Sequence, residues 1–240
     1  MGRSISYHLL QTLKRGAKRL SDDARGQVCC YVMSQRDEHE AFMNRGRKAD
    51  LYYTLFGWML CYALDINSDG TRRKAYLASF DVARLNELHL TVLTLCQMLD
   101  SLLSLPRFTP EAVLRFMADD EPLQRFFESY QRHGSGGGTN AWAARLTILP
   151  KSDITLVQRL LAVQHESGGF LAHEGALMPD LLSTAVAMFA LSRHHVSPRY
   201  DVHSFVEAHW LEDGGFAATL LDDYGDVEYV FYGLLAIGSI

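Results

Sequence analysis

Apolar positions recur at helical spacing along most of the chain, and period-two alternation is nowhere sustained, so the pattern predicts helices and almost no sheet. Residues 4 to 20 set Ile5, Leu9, Leu10, Leu13 and Leu20 against Lys14, Arg15, Lys18 and Arg19. This is a basic amphipathic helix, expected to pack on the edge of the fold or to touch a membrane surface or acidic partner. Ser21-Asp22-Asp23 has the chemistry of a helix start, and the helix it opens runs to about Gln35. The segment 50 to 65 is apolar on nearly all sides and rich in aromatics, with Tyr52, Tyr53, Phe56, Trp58 and Tyr62, which predicts a buried inner helix. The segment 72 to 104 reads as a long helical stretch broken near Phe80-Asp81. Thr109-Pro110-Glu111 opens another helix toward His133, interrupted at Pro122. Helices over 140 to 149, 153 to 165, 180 to 194, 200 to 210 and 226 to 238 bring the total to about ten.

The pattern repeats. Gln164 to Leu191 reads as a helix end, a Gly-Gly-Phe loop and an Asp-started apolar helix; Trp210 to Ile237 repeats this, and Gln35 to Cys61 is a fainter copy. Aligned at Asp50, Asp180 and Asp226, the three copies place Phe42, Phe170 and Phe216 8, 10 and 10 residues upstream. Gly168-Gly169 and Gly214-Gly215 can supply the positive φ that a helix end often needs. The three acids stand where a helix cap would be. Thr54, Asn140, Thr184 and Val230 occupy similar places before apolar stretches, at spacings of roughly 43 to 46 residues per unit, and a unit centred near Thr91 to Gln97 fills the gap. About five helix pairs follow. One pair cannot bury its apolar face alone, so the pairs must stack or close on each other.

The Q-x-x-x-G-G-F…D-x-x-x-T-A…A-L pattern at 164 to 191 resembles the repeat of protein prenyltransferase β subunits and of terpene (squalene-type) cyclases. The resemblance implies an all-α, α/α toroid: outer helices ringing inner ones around an apolar central cavity. It covers two repeats well and the first fairly. The whole chain is expected to form one domain, with 1–20 as the N-terminal helix and 21–240 as helical-hairpin repeats.

Composition narrows the use of such a fold. The chain has 240 residues, 48% hydrophobic and 21% charged, an ordinary globular mix, and its net charge of −5 gives no case for nucleic-acid binding. No apolar run reaches the roughly 18 residues of a membrane span. The start lacks the continuous apolar stretch of a secretory signal. Cys29, Cys30, Cys61 and Cys96 form no C-x-x-C and read as reduced thiols, so a cytoplasmic location is expected.

The resemblance also places candidate chemistry. The prenyltransferase zinc motif matches at Asp50 and Tyr53, but Tyr52 stands where the Cys ligand belongs, so no metal site is expected and zinc is doubtful. Asp222-Asp223-Tyr224-Gly225-Asp226 does not match the cyclase D-x-D-D, although its acids could hold magnesium at a helix start. Tyr53, Asp50 and Asp226 are the candidate catalytic groups, and no cofactor is expected. Arg45-Gly-Arg-Lys48 fits the R-x-x-K that the family uses for diphosphate, with Lys48 two residues from Asp50 rather than three. Arg45, Arg47 and Lys48 are therefore the candidate head-group site. His165 precedes its glycines where the family's H-G-G touches diphosphate, two residues out of register. Tyr52, Phe56, Trp142 and Tyr229 would line or plug the centre, which suits an isoprenoid chain or a carbocation.

Two readings stand at this stage. The first is a prenyltransferase-like or cyclase-like protein holding an isoprenoid or other lipid chain, with an open apolar cavity joined to the basic loop. The second is a non-catalytic helical-repeat scaffold for a protein partner, with a filled centre and an exposed apolar patch on one rim.

Overall fold

Acidic and small polar caps decide where most helices begin. A side-chain oxygen placed just before the first turn takes up backbone N–H groups that have no partner inside the helix. Ser4, Ser21, Asp50, Asp69, Asn86, Asp153, Asp180 and Asp226 all do this. The computed structural model describes residues 4–104, 120–133 and 137–240. Among these, the helices are α1 (Ile5–Arg19), α2 (Asp22–Ser34), α3 (Leu51–Leu64), α4 (Gly70–Ala78), α5 (Glu87–Leu103), α6 (Glu121–His133), α7 (Thr139–Ile148), α8 (Ile154–Ala162), α9 (Leu181–Arg193), α10 (His203–Glu207) and α11 (Val227–Ser239). A short 3₁₀ turn covers Val82–Arg84. Sheet is confined to the antiparallel pair β1 (Phe170–Leu171) and β2 (Pro179–Asp180) and a few isolated bridges. The protein is all-α with little sheet, as the hydrophobic period predicts.

The repeat is visible atom by atom. Phe42, Phe170 and Phe216 are all buried, and each bridges back to the residue six before it: Arg36, Gln164 and Trp210. The Phe42 N–H donates to Thr54 Oγ1 and the Phe170 N–H to Thr184 Oγ1, both at 2.9 Å, while each threonine donates to the carbonyl of its cap, Asp50 or Asp180. The third copy has Val230 at this place. Seven residues after each cap lies a small residue, Gly57, Ala187 or Gly233; a Cβ at Gly57 would fall 2.2 Å from the Phe42 ring, and one at Gly233 2.7 Å from Phe216. Two residues before each phenylalanine the backbone turns left-handed, at Gly168 (φ 98°), Gly214 (φ 88°) and, in the faint copy, Glu40 (φ 66°). Glu40 bears the conformation of a glycine because its ends are held: Arg36 Nη1 donates to its carboxylate and Trp58 Nε1 to its carbonyl, each at 2.8 Å.

The long helices pack in a cycle. α3 packs on α5, α5 on α6, α6 on α7, α7 on α9, α9 on α11, and α11 returns to α3. The shorter helices lean on these, α2 on α3 and α11, α4 on α5, α8 on α7 and α10 on α11. Helix α1 lies against α11 and α3, its apolar stripe Ile5, Leu9, Leu10, Leu13 and Ala17 wholly buried. Arg15 and Arg19 donate to the carbonyls of Gly238 and Ile237 at the end of α11, and Lys14 sits over the Tyr62 ring. Of the expectations for this helix, packing against the fold is the one the structure shows: its apolar face is buried in the core and Arg15 and Arg19 meet a helix end.

Pro122 is the second residue of α6, in a first turn whose N–H groups lack intrahelical acceptors, and Asp120 just before that helix is not helical, as an interruption near Pro122 requires. Asp120 accepts from Ser4 Oγ, Ile5 N and Ser6 N at 2.7–3.0 Å and so anchors the start of α1. The expected helix 200 to 210 shortens to His203–Glu207. The helix start at Thr109-Pro110-Glu111 and the glycines 134 and 136 lie outside the described residues.

Candidate functional site

The second residues of the long helices α3, α5, α7, α9 and α11 are Tyr52, Leu88, Asn140, Leu182 and Glu228. Tyr52, Leu88 and Asn140 line a cleft of about 600 Å³ between α3, α5, α6 and α7, together with Asp50, Tyr53, His89, Val92, Phe126 and Ala141. Asn140 and Leu182 also line a void of only about 40 Å³ further in, among Phe56, Met59, Phe126, Val186, Phe189 and Phe231. Phe126 and Asn140 belong to both linings, so the cleft abuts the apolar centre there. The centre itself is packed: Phe56 meets Tyr52, Phe126, Phe231 and Tyr232 at ring-centroid distances of 4.9–6.5 Å.

Beside the cleft, across α3 and α11, sits a charged cluster. Asp226 is 2% exposed; one carboxylate oxygen accepts from the Tyr229 N–H and the other from Arg45 Nε at 2.7 Å. The Arg45 guanidinium also stacks over Tyr224 and Tyr229. Glu228, two residues after this cap, accepts from the hydroxyls of Tyr52 (3.0 Å) and Tyr232 (3.2 Å). Burial, and then the charge of Asp226, push its carboxyl up to about 7 against the pull of the two hydroxyls. Burial foremost, then the charges of Asp226 and Glu228, push Tyr53 up to about 12, so it is a phenol at neutral pH.

The sequence candidates divide accordingly. Asp50, Tyr52 and Tyr53 line the cleft and Phe56 the central void. Asp50 and Asp226 serve as caps, and Asp226 is additionally paired with Arg45. Arg45, Arg47, Lys48 and Tyr229 are absent from the cleft lining. Arg47 occupies a left-handed turn (φ 56°) and both it and Lys48 are exposed. Trp142 is buried beneath Arg159 of α8 and lines neither the cleft nor the central void. His165 is exposed and bonded to Ser167 in its own turn. Among the described residues no three His, Cys, Asp or Glu side chains converge as metal ligands would.

Glu228 escaped the sequence reading, although a signal was present: it is the one acid inside an otherwise apolar inner helix, at the repeat position occupied by Tyr52 and Leu182. Asn140 was noticed but misplaced. It is the second residue of its helix, whereas Thr54 and Thr184 are the fourth of theirs. Its helix lacks an acidic cap, Gly138 standing there instead, so spacing alone put it half a turn out.

No protein-family model matches the chain, and no curated protein matches it.

Proposed function

We propose that the protein is an α/α toroid of the prenyltransferase and terpene-cyclase kind and that it binds an isoprenoid or similar lipid-like molecule in this cleft rather than in a central cavity. The cleft carries the reading. Its volume of about 600 Å³ lies within the ~300–1,000 Å³ usual for small-molecule sites, and its walls are mostly apolar or aromatic. The packed centre is too small for a chain, so the ligand lies across the mouth rather than down the axis. The proposal assigns binding and no bond-making step. Tyr52 lines the cleft and gives its hydroxyl to Glu228, so the carboxyl is one side chain removed from a ligand. Native mass spectrometry of protein purified from its own host, with extraction of small molecules, tests the reading. A retained apolar molecule that is lost in Ala141→Trp, which fills the cleft from a half-buried position, is the expected result. A clean protein mass, with no response to added C15 or C20 isoprenoids, would sink it.

A scaffold reading has its own observation. Leu177 and Met178 before α9, and Leu220, Leu221 and Tyr224 before α11, are all exposed, Leu177 fully so. The two loops are joined by the Leu181 N–H to the Ala218 carbonyl at 2.9 Å. An apolar rim of this kind suits a protein partner. Leu220→Asp with Leu221→Asp should then abolish a co-purifying protein while leaving ligand binding intact.

A further inference from the structure

The chemistry of the cleft's ligand is written in one atom. Asn140 Oδ1 is buried and has no hydrogen-bond partner within the protein. Four buried side-chain atoms are in this state among the described residues, on Ser6, Asn140, Ser183 and His209, and only the asparagine lines the cleft. The hydroxyls of Tyr52 and Tyr232 are both donated to Glu228. A buried acceptor without a donor leaves its desolvation uncompensated, so a ligand that brings an O–H or N–H there gains more than one hydrogen bond gains in water.

The same walls are ill suited to an anion. Asp50 lines the cleft, and among the described residues no Arg or Lys does. Arg45 is committed to Asp226, and the first N–H groups of α3 are already taken by the Asp50 carboxylate. Resting on the binding reading above, we infer that the cleft takes an uncharged apolar alcohol, its hydroxyl donating to Asn140 Oδ1 and its body lying along Leu88, Val92 and Phe126. A diphosphate and a bare hydrocarbon are both disfavoured, the first by the carboxylate and the second by the orphaned acceptor.

Calorimetric titration of the full chain with a C15 isoprenoid alcohol, its methyl ether and its diphosphate tests this. The alcohol should bind about 10-fold more tightly than the ether, which can accept but not donate, and the diphosphate should bind more weakly than the alcohol. Asn140→Leu, similar in volume, should erase the difference between alcohol and ether. If that variant does not fold, Asn140→Asp keeps an acceptor and should preserve the preference. Equal binding of alcohol and ether, or tightest binding of the diphosphate, would overturn the inference and leave the cleft a binding site. Binding of none of the three would overturn the binding reading along with it.

Discussion

Replacing Glu228 with Gln should stabilise the protein, and by an amount that grows with pH. The glutamine keeps an oxygen for the Tyr52 and Tyr232 hydroxyls and nearly the same volume, so the packing at the mouth is retained while the ionisable proton is removed. The wild-type carboxyl moves from an ordinary 4.5 in the unfolded chain to about 7 in the folded one. Below 4.5 both states hold the proton and the group contributes nothing. Between 4.5 and 7 the unfolded chain releases its proton while the folded one keeps it, so stability falls as pH rises; above 7 the full cost is present. At about 1.4 kcal/mol for each tenfold change in proton affinity, that cost approaches about 3 kcal/mol. Urea unfolding of both proteins at pH 5 and pH 8 reads it directly. The advantage of Glu228→Gln should be about 2 to 3 kcal/mol larger at pH 8 than at pH 5, other groups cancelling in the comparison. An advantage that does not change with pH, or one that shrinks as pH rises, would refute the picture of a carboxyl held neutral by burial and by Asp226. Titration of the Glu228 carboxyl carbon by NMR gives the same quantity without unfolding.

Other outcomes follow from the packing. Gly16 and Gly238 touch across the α1–α11 crossing, where a Cβ would come within 2.0 Å of the Leu234 carbonyl oxygen and 1.9 Å of the Thr12 carbonyl oxygen respectively. Gly238→Ala should therefore cost about 3 kcal/mol or more, seen as a fall in Tm of several degrees, whereas Gly26→Ala, where nothing lies within 4 Å, should be neutral or slightly stabilising. Thr54→Val leaves the buried Phe42 N–H without its acceptor and should cost about 1 to 3 kcal/mol in urea unfolding. His209 is fully buried, donates from Nδ1 to the Phe205 carbonyl, and has its pKa lowered by burial. Its sign is opposite to that of Glu228. Below about 6.5 the unfolded histidine takes up a proton that the folded one refuses, so stability is lost as pH falls. His209→Phe should flatten that part of the stability profile, relative to wild type, and leave it unchanged above pH 7.

The local grammar of the chain was legible because it obeys short-range rules. Asp50, Asp180 and Asp226 cap helices wherever the chain folds, since the groups they satisfy lie two or three residues away. The apolar runs, the Gly-Gly-Phe loops and the all-α character depend on the same near-neighbour physics. The faint first copy was harder, because its left-handed residue is Glu40 and the contacts that hold it come from Arg36 and Trp58, 4 residues before and 18 after it.

What tertiary structure alone decided was which side chains meet. Arg45 and Lys48 looked like an anion site next to Asp50 in sequence, yet Arg45 reaches Asp226, 181 residues away, and its charge is consumed there. Asp120 anchors the start of α1 from 114 to 116 residues away, and Glu228 meets the Tyr52 hydroxyl across 176 residues. The sequence by itself determined a repeated, capped, helical chain with an aromatic interior, because caps, periodicity and turn glycines act over a few residues. The closing of the helices on one another determined the cleft, the near-filled centre, the raised pKa of the Glu228 carboxyl and the unpaired amide oxygen. Burial and Coulomb interactions depend on distance in space, and no spacing along the chain encodes that distance.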